Sequence, residues 1–164
     1  MSIALLRVDE RLIHGQVVVG WGNQLHPQRI VVVDDGLASS GWEQELYTMG
    51  LPADLATEFV DTATARQRLP SWRASREVVV VLTRDVETMR RLGRDRALAG
   101  EEINLGGIHH APGRREVLPY VFLNEAETQE LRALAREGAL VSARDLPGTR
   151  RVPLEQLHLP EEAL

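Results

Sequence analysis

The sequence predicts an α/β fold, an open, mostly parallel twisted sheet with helices on both faces in a three-layer αβα arrangement. Three observations carry that expectation. Apolar runs of strand length alternate with helix-like segments along the whole chain, the pattern of βαβ units. One run, "EVVVVLT" at residues 77–83, is continuously apolar and β-branched, as a strand covered on both faces should be. No repeat, low-complexity tract or linker interrupts the alternation, so residues 1–164 read as one domain.

The elements follow in order. "IALLRV" (3–8) reads as the first strand, and residues 14–25 suit a helix. Within it "VVVGW" could serve a homodimer face as easily as the core. "RIVVVDD" (29–35) reads as the second strand, a helix is expected over 40–51, and "ATEFVD" (56–61) reads as a short third strand. The next helix is expected over 63–69, ended by Pro70, which lacks an amide hydrogen. After the strand at 77–83, Asp85 is a candidate N-cap, and Val86, Met89 and Leu92 have helical spacing. "EINLGG" (102–107) is a short strand entering a glycine turn in which positive φ is expected, and "YVFL" (120–123) is another strand. Asn124 with Glu127 resembles a capping box, and Gly138 suits the end of that helix. A last strand near 139–146 and a short C-terminal helix complete the expectation.

Composition removes several classes of function. The chain has no cysteine, so disulfides, thiolate nucleophiles and thiolate metal sites are excluded. All 19 basic residues are arginine, so no lysine is available as a Schiff-base former or general base. A net charge of −5 argues against non-specific binding to nucleic acid or an anionic membrane. The sequence opens on a strand-like run without the features of a signal peptide, and no apolar stretch is long enough to span a bilayer. The expectation is a cytoplasmic protein.

In an open parallel sheet, ligands collect beyond the carboxyl ends of the strands. That rule selects Asp9–Gln16, Asp34–Gly36, Thr83–Asp85 and Gly106–His110. The first of these holds the densest chemistry. His14 sits at the joint between strand and helix, where backbone amides and the helix dipole favour a phosphate. Gly15 lets the backbone come close, and Arg7 and Arg11 are charged forks suited to phosphoryl oxygens. A nearby guanidinium disfavours imidazolium and would keep His14 neutral and nucleophilic, while Asp9 and Glu10 could orient an arginine or the imidazole N–H. The set suits a histidine that accepts and donates a phosphoryl group, a reaction in which positioning and charge stabilisation do most of the work.

The segment "RVDERLIHGQVVVGW" (7–21) resembles the active-site segment of the IIB subunits of the mannose/fructose/sorbose family of the bacterial phosphotransferase system. That family's pattern is close to R-[IV]-D-x-R-L-I-H-G-Q-V with a tryptophan a few residues on, which Trp21 matches. "RIVVVDD", "VVVVLT" and "INLGGI" extend the resemblance in order over nearly the whole chain. It implies that His14 is phosphorylated by a phosphohistidine IIA partner and that the group passes to a sugar entering through the membrane subunits IIC and IID. Peripheral association with the membrane through IIC and IID follows from the same resemblance. Asp9, Arg11 and Gln16 would shape the active loop, with Arg7, Gly15, Asp34 and Thr83 in support. No metal and no cofactor is implied.

Two stretches depart from the family pattern. "DDGLASSGW" after the second strand is richer in glycine, and "HHAPGRRE" after the glycine turn, with His109, His110, Arg114 and Arg115, matches none of it. Arg114 and Arg115 could add positive charge near the active loop or be solvated, and the solvated reading is favoured. Other functions compete. His14, His109, His110, Asp34 and Asp35 are metal-ligand types, but no HxH or HExxH spacing supports a metallohydrolase. "NLGGI" is neither GxGxxG nor a Walker loop, which disfavours nucleotide binding. A regulatory phosphohistidine module without sugar transport would keep the same histidine loop.

Overall fold

The computed structural model describes residues 3–157. Among them a seven-stranded sheet has the order β3-β2-β4-β1-β5-β8-β9, formed by β1 (Leu5–Val8), β2 (Arg29–Val33), β3 (Ala56–Val60), β4 (Val79–Thr83), β5 (Glu102–Leu105), β8 (Leu140–Ala143) and β9 (Val152–Pro153). All pairings are parallel except β8 with β9 at one edge. The expected open, mostly parallel sheet with helices on both faces is what forms.

Alternation along each strand divides the core. On one face Leu6, Val8, Val31, Val33, Val81, Ile103, Leu105 and Val141 pack against α3 (Thr62–Ala74), α4 (Val86–Leu92) and α5 (Glu125–Arg136). On the other, Leu5, Ile30, Val32, Val80 and Leu82 pack against a π-helical segment, Gln16–Trp21, that runs on into α1 (Gly22–Leu25), and against α2 (Gly41–Thr48). Val17 and Trp21 are core residues of that second face, and only Val19 of "VVVGW" is strongly exposed. Each fully buried aliphatic side chain contributes roughly 1.5–3 kcal/mol, so the central strands hold the carboxyl-end loops on a rigid base.

Local signals formed as expected at the caps. Asp85 accepts from the Thr88 amide at 2.8 Å. Asn124 and Glu127 exchange side-chain and backbone bonds at 2.8 and 2.9 Å, a complete capping box. Gly138 follows α5 at φ 101°, which glycine adopts without steric cost.

One expectation was wrong and two were met in part. Pro70 lies inside α3, which begins after an Asp61 cap and runs through to Ala74. The helix continues because Leu69 and Trp72, on either side of the proline, are buried in the core, while Pro70 itself faces solvent. The run at 120–123 stays outside the main sheet: β7 (Val121–Leu123) pairs antiparallel with β6 (Arg115–Leu118), a strand not expected, in a separate two-stranded hairpin. Of the expected C-terminal helix, the structure shows a 3-10 turn at Leu154–Gln156, and the remainder lies outside the described residues.

Topology places the site. The chain leaves β1 towards β2 on one side of the sheet, whereas β5 leads to β8 on the other. The loops after β1 and β5 therefore diverge at a topological switch point, where open α/β sheets form their ligand crevice.

Candidate functional site

The loop after β1 is built around Asp9, whose side chain is 0% exposed. Its amide donates to the Thr83 carbonyl at 2.9 Å, and the next amide, of Glu10, donates to the Gly107 carbonyl at 2.9 Å, so the loop is stitched to the ends of both neighbouring strands. Asp9 Oδ1 accepts the Arg11 amide at 3.0 Å, and the Asp9 carbonyl accepts the Leu12 amide at 3.0 Å. Leu12 closes this turn at φ 55°, a left-handed conformation uncommon for a non-glycine residue. Its fully buried side chain holds the turn in place.

His14 Nε2 lies 3.0 Å from Asp9 Oδ2, and the ring is partly open to solvent, its side chain 14% exposed. The His14 carbonyl accepts the amides of Val17 and Val18 at 3.0 and 2.9 Å, so the residue stands immediately before the helical segment, as expected. Nδ1 has no hydrogen-bond partner among the described residues. Gly15 has ordinary right-handed dihedrals, and a Cβ there would meet nothing within 4 Å. The space at the Gly15 Cα, next in the chain to His14, is open.

Arg7 does not face that space. Its side chain is 0% exposed, and its five N–H donors are all used. Nε and Nη2 donate to Asp9 Oδ2 at 3.2 and 3.0 Å, Nη1 to Asn104 Oδ1 at 2.6 Å and the Arg144 carbonyl at 3.0 Å, and Nη2 also to the Asp145 carbonyl at 3.2 Å. Its guanidinium carbon lies 5.6 Å from the Trp21 ring centroid, and Trp21 Nε1 donates to the same Asp145 carbonyl at 3.1 Å. Arg7 is therefore no fork for incoming phosphoryl oxygens. It supports the loop from beneath, through Asp9. Burial lowers the Arg7 pKa from its ordinary value, against the raising pull of Asp9. For Asp9, burial would raise the pKa, but the His14 hydrogen bond and the Arg7 charge outweigh it and hold the carboxyl down to about 2.

Arg11 is the arginine that reaches the surface. Its side chain is 48% exposed, its Nε lies 4.0 Å from Asp9 Oδ1, and Nη2 donates to Gln16 Oε1 at 3.0 Å. Arg11, Gln16 and His14 thus line one side of the loop.

Asp34 and Thr83 serve the framework. Asp34 Oδ1 accepts the Leu37 amide at 2.9 Å and its other oxygen lies 3.5 Å from Arg84 Nε. Buried Thr83 donates from Oγ1 to the Asp85 carbonyl at 3.0 Å and lends its own carbonyl to Asp9. Asp35 is committed to Thr62 and Arg91. Among the described residues no group of three or more His, Asp or Glu side chains is placed to hold a metal ion.

The glycine turn is a further correction. Gly106 and Gly107 are absent from the positive-φ residues; Gly106 is glycine because a Cβ there would lie 2.2–2.5 Å from the Arg7 guanidinium. Its amide donates to the Val8 carbonyl at 2.8 Å, and the Gly107 amide reaches Asp9 Oδ2 at 3.4 Å. Arg115 is exposed as expected, but Arg114 is largely buried, paired with Glu10 and, at 2.7 and 3.0 Å, with Glu127. Burial would lower the Arg114 pKa, yet Glu127 and Glu10 together raise it. Among the described residues, the side chains that bond the Glu10 carboxylate are Arg114 and His109, the latter at 2.9 Å. Sequence reasoning missed the role of Asn104, the second role of Glu127 and which arginine Glu10 holds. The Arg7–Asn104 and Glu10–Arg114 pairs span about a hundred residues of chain, and no local pattern connects them.

A carboxylate-oriented histidine with a second ring nitrogen unbonded among the described residues, and an exposed arginine beside it, has the geometry that a nucleophilic imidazole requires. The comparison with known families gives the family. The model of the PTS system sorbose subfamily IIB component matches residues 3–163. The chain belongs to the sorbose subfamily of IIB components. It is 27% identical over 152 residues to the N-acetylgalactosamine-specific phosphotransferase enzyme IIB component 1 of Escherichia coli K12, covering 92% of this chain and 94% of that one. It is 28% identical over 144 residues to the mannose-specific EIIAB component of the same organism, covering 88% of this chain and 44% of that longer protein. Among solved structures, the IIB domain of the Klebsiella pneumoniae sorbose permease superposes with a TM-score of 0.82 at 25% identity, over 95% of this chain and 96% of that one. As a IIB component the chain is a phosphotransferase of sugar uptake. Among the described residues, no helix is long and apolar enough to cross a membrane.

Proposed function

We propose that this IIB component accepts a phosphoryl group on Nδ1 of His14 from a phosphohistidine on a IIA partner. It then transfers the group to a sugar delivered by IIC and IID membrane subunits, at the cytoplasmic face of the membrane. The observation that carries the proposal is the 3.0 Å contact between Asp9 Oδ2 and His14 Nε2. A carboxylate kept ionised by a pKa near 2 accepts the Nε2 proton, which fixes the tautomer and leaves the Nδ1 lone pair as the nucleophile.

The transfer then proceeds by direct exchange. The phosphorus–nitrogen bond on IIA breaks as the bond to His14 Nδ1 forms, and its electron pair returns to the donor imidazole. Nε2–H stays against Asp9, whose charge stabilises the imidazolium character of the phosphorylated ring. Arg11, exposed beside His14, meets the phosphoryl oxygens, and Gln16 keeps its guanidinium turned to that side. Open space at Gly15 admits the donor. A IIA partner is supported by the mannose-specific EIIAB relative, whose name joins A and B functions in one chain.

Intact mass after incubation with phosphoenolpyruvate, enzyme I, HPr and a IIA protein tests this. The expected result is an acid-labile gain of one phosphoryl group in the wild type and none in His14→Ala. A variant that gains the group as the wild type does would refute the assignment to His14.

A further inference from the structure

The two adjacent acids of the active loop each hold an imidazole. Asp9 holds His14; Glu10 holds His109, whose Nδ1 lies 2.9 Å from Glu10 Oε2. His109 comes from the loop after β5, on the other side of the switch point. Its side chain is 53% exposed, and its Nε2 has no hydrogen-bond partner among the described residues. That nitrogen faces Gly107: a Cβ on Gly107 would lie 3.4 Å from His109 Nε2 and 3.5 Å from Asp9 Oδ1. The space left by that missing Cβ is thus bounded by His109 on one side and the carboxylate that orients His14 on the other.

Glu10 is itself fixed. Arg114 grips it, donates to the His109 carbonyl at 2.9 Å, and is anchored on Glu127 in the capping box of α5. The charged groups facing His109 are therefore Glu10 and Arg114, with Asp9 and His14 across Gly107 and Glu127 behind. A carboxylate that accepts the Nδ1 proton leaves the lone pair on Nε2, beside Gly107 and on a braced mount. That is the arrangement of a general base.

We infer that His109 is a second catalytic histidine of this chain, the base for the onward transfer. The inference rests on the phosphocarrier reading above. A sugar hydroxyl oxygen attacks the phosphorus on His14. The new phosphorus–oxygen bond forms as the bond to Nδ1 breaks, and its electron pair returns to the His14 ring. The hydroxyl proton passes to His109 Nε2, which later releases it to solvent. Acceptance from a IIA phosphohistidine moves no hydroxyl proton and has no use for His109. The two half-reactions therefore separate its role from any structural one.

The test compares wild type with His109→Asn, whose amide keeps the bond to Glu10 without supplying a base. Each is charged from phospho-IIA. Each is then added to membrane vesicles carrying mannose-, sorbose- or N-acetylgalactosamine-type IIC and IID subunits with the matching labelled sugar. The expected result is acceptance at the wild-type rate and donation to sugar slowed by roughly 100-fold or more. His109→Gln should be slowed likewise. Donation at the wild-type rate overturns the inference, as does an equal fall in both half-reactions, which would mark a structural role. A wild type that charges on His14 but phosphorylates none of the sugars overturns the transfer reading and this inference with it.

Discussion

At the scale of single residues, Asp9 is the centre of the account. It is buried, it is the anion that neutralises Arg7, and it orients His14. Removing its charge leaves the Arg7 guanidinium buried without an anion, a change that costs about 3–5 kcal/mol when one partner of a buried pair is lost. Asp9→Asn should therefore lower stability by roughly that amount in urea denaturation, and should also slow phosphoryl acceptance. The pH dependence has a definite sign. The Asp9 carboxyl falls from 3.8 to about 2 on folding, so its stabilisation is present above pH 4 and is lost as pH falls towards 2. It amounts to roughly 2 kcal/mol, and the acid limb of a stability–pH curve should flatten by that amount in Asp9→Asn. Two glycines separate site from scaffold in the same way. Gly106→Ala drives a methyl into the Arg7 guanidinium and should destabilise the protein by several-fold more than Gly15→Ala, which enters open space in a helical conformation. Thermal unfolding of the pair measures the difference. Equal effects would mean that Gly106 is not constrained by Arg7.

At the scale of elements, the signals that sequence carries best are local. The Asp85 cap and the Asn124–Glu127 capping box are complete within three residues, and they formed as read. Pro70 shows the converse. A missing amide is a local fact that favours ending a helix, but burial of Leu69 and Trp72 is a tertiary one, and it prevailed in α3. Replacing this exposed proline by alanine restores a helix hydrogen bond, while losing some restriction of the unfolded chain. Pro70→Ala should accordingly stabilise the protein by about 1 kcal/mol or more in thermal denaturation; a loss of stability would mean the helix is bent to need it. Asn124→Ala should cost about 1 kcal/mol through the lost cap. Because Glu127 also anchors Arg114, the same variant should loosen Glu10 and raise amide exchange in the loop after β1. The hairpin of β6 and β7 escaped notice because "REVL" is short and half exposed, and its partner among the described residues is the next short strand.

At the scale of the whole molecule, the strand order explains why residues far apart in sequence meet. β1 lies between β4 and β5, so its loop collects the Thr83 carbonyl from one neighbour and the Gly107 carbonyl from the other. Alternating strands and helices foretold this sheet, and the rule of carboxyl ends selected the loops after β1 and β5, which meet around Asp9. The assignment of Arg7 as a phosphate ligand failed for a reason of the same scale. Position at a strand end shows where a residue lies along the sheet axis; whether it faces solvent depends on Asn104, Trp21 and the carbonyls of Arg144 and Asp145, which arrive from other parts of the fold. Docking of a IIA partner around His14 should accordingly draw on exposed Arg11 and on Arg84, and not on Arg7. Its affinity should weaken with salt, and Arg11→Gln should reduce that dependence.

Long-range proton–nitrogen NMR of the histidine rings, before and after charging by phospho-IIA, tests directly whether Asp9 reserves Nδ1 of His14 for the phosphoryl group. The His14 Nδ1 resonance should shift on phosphorylation while Nε2 stays protonated. A phosphoryl group found on Nε2, or on another histidine, would contradict it.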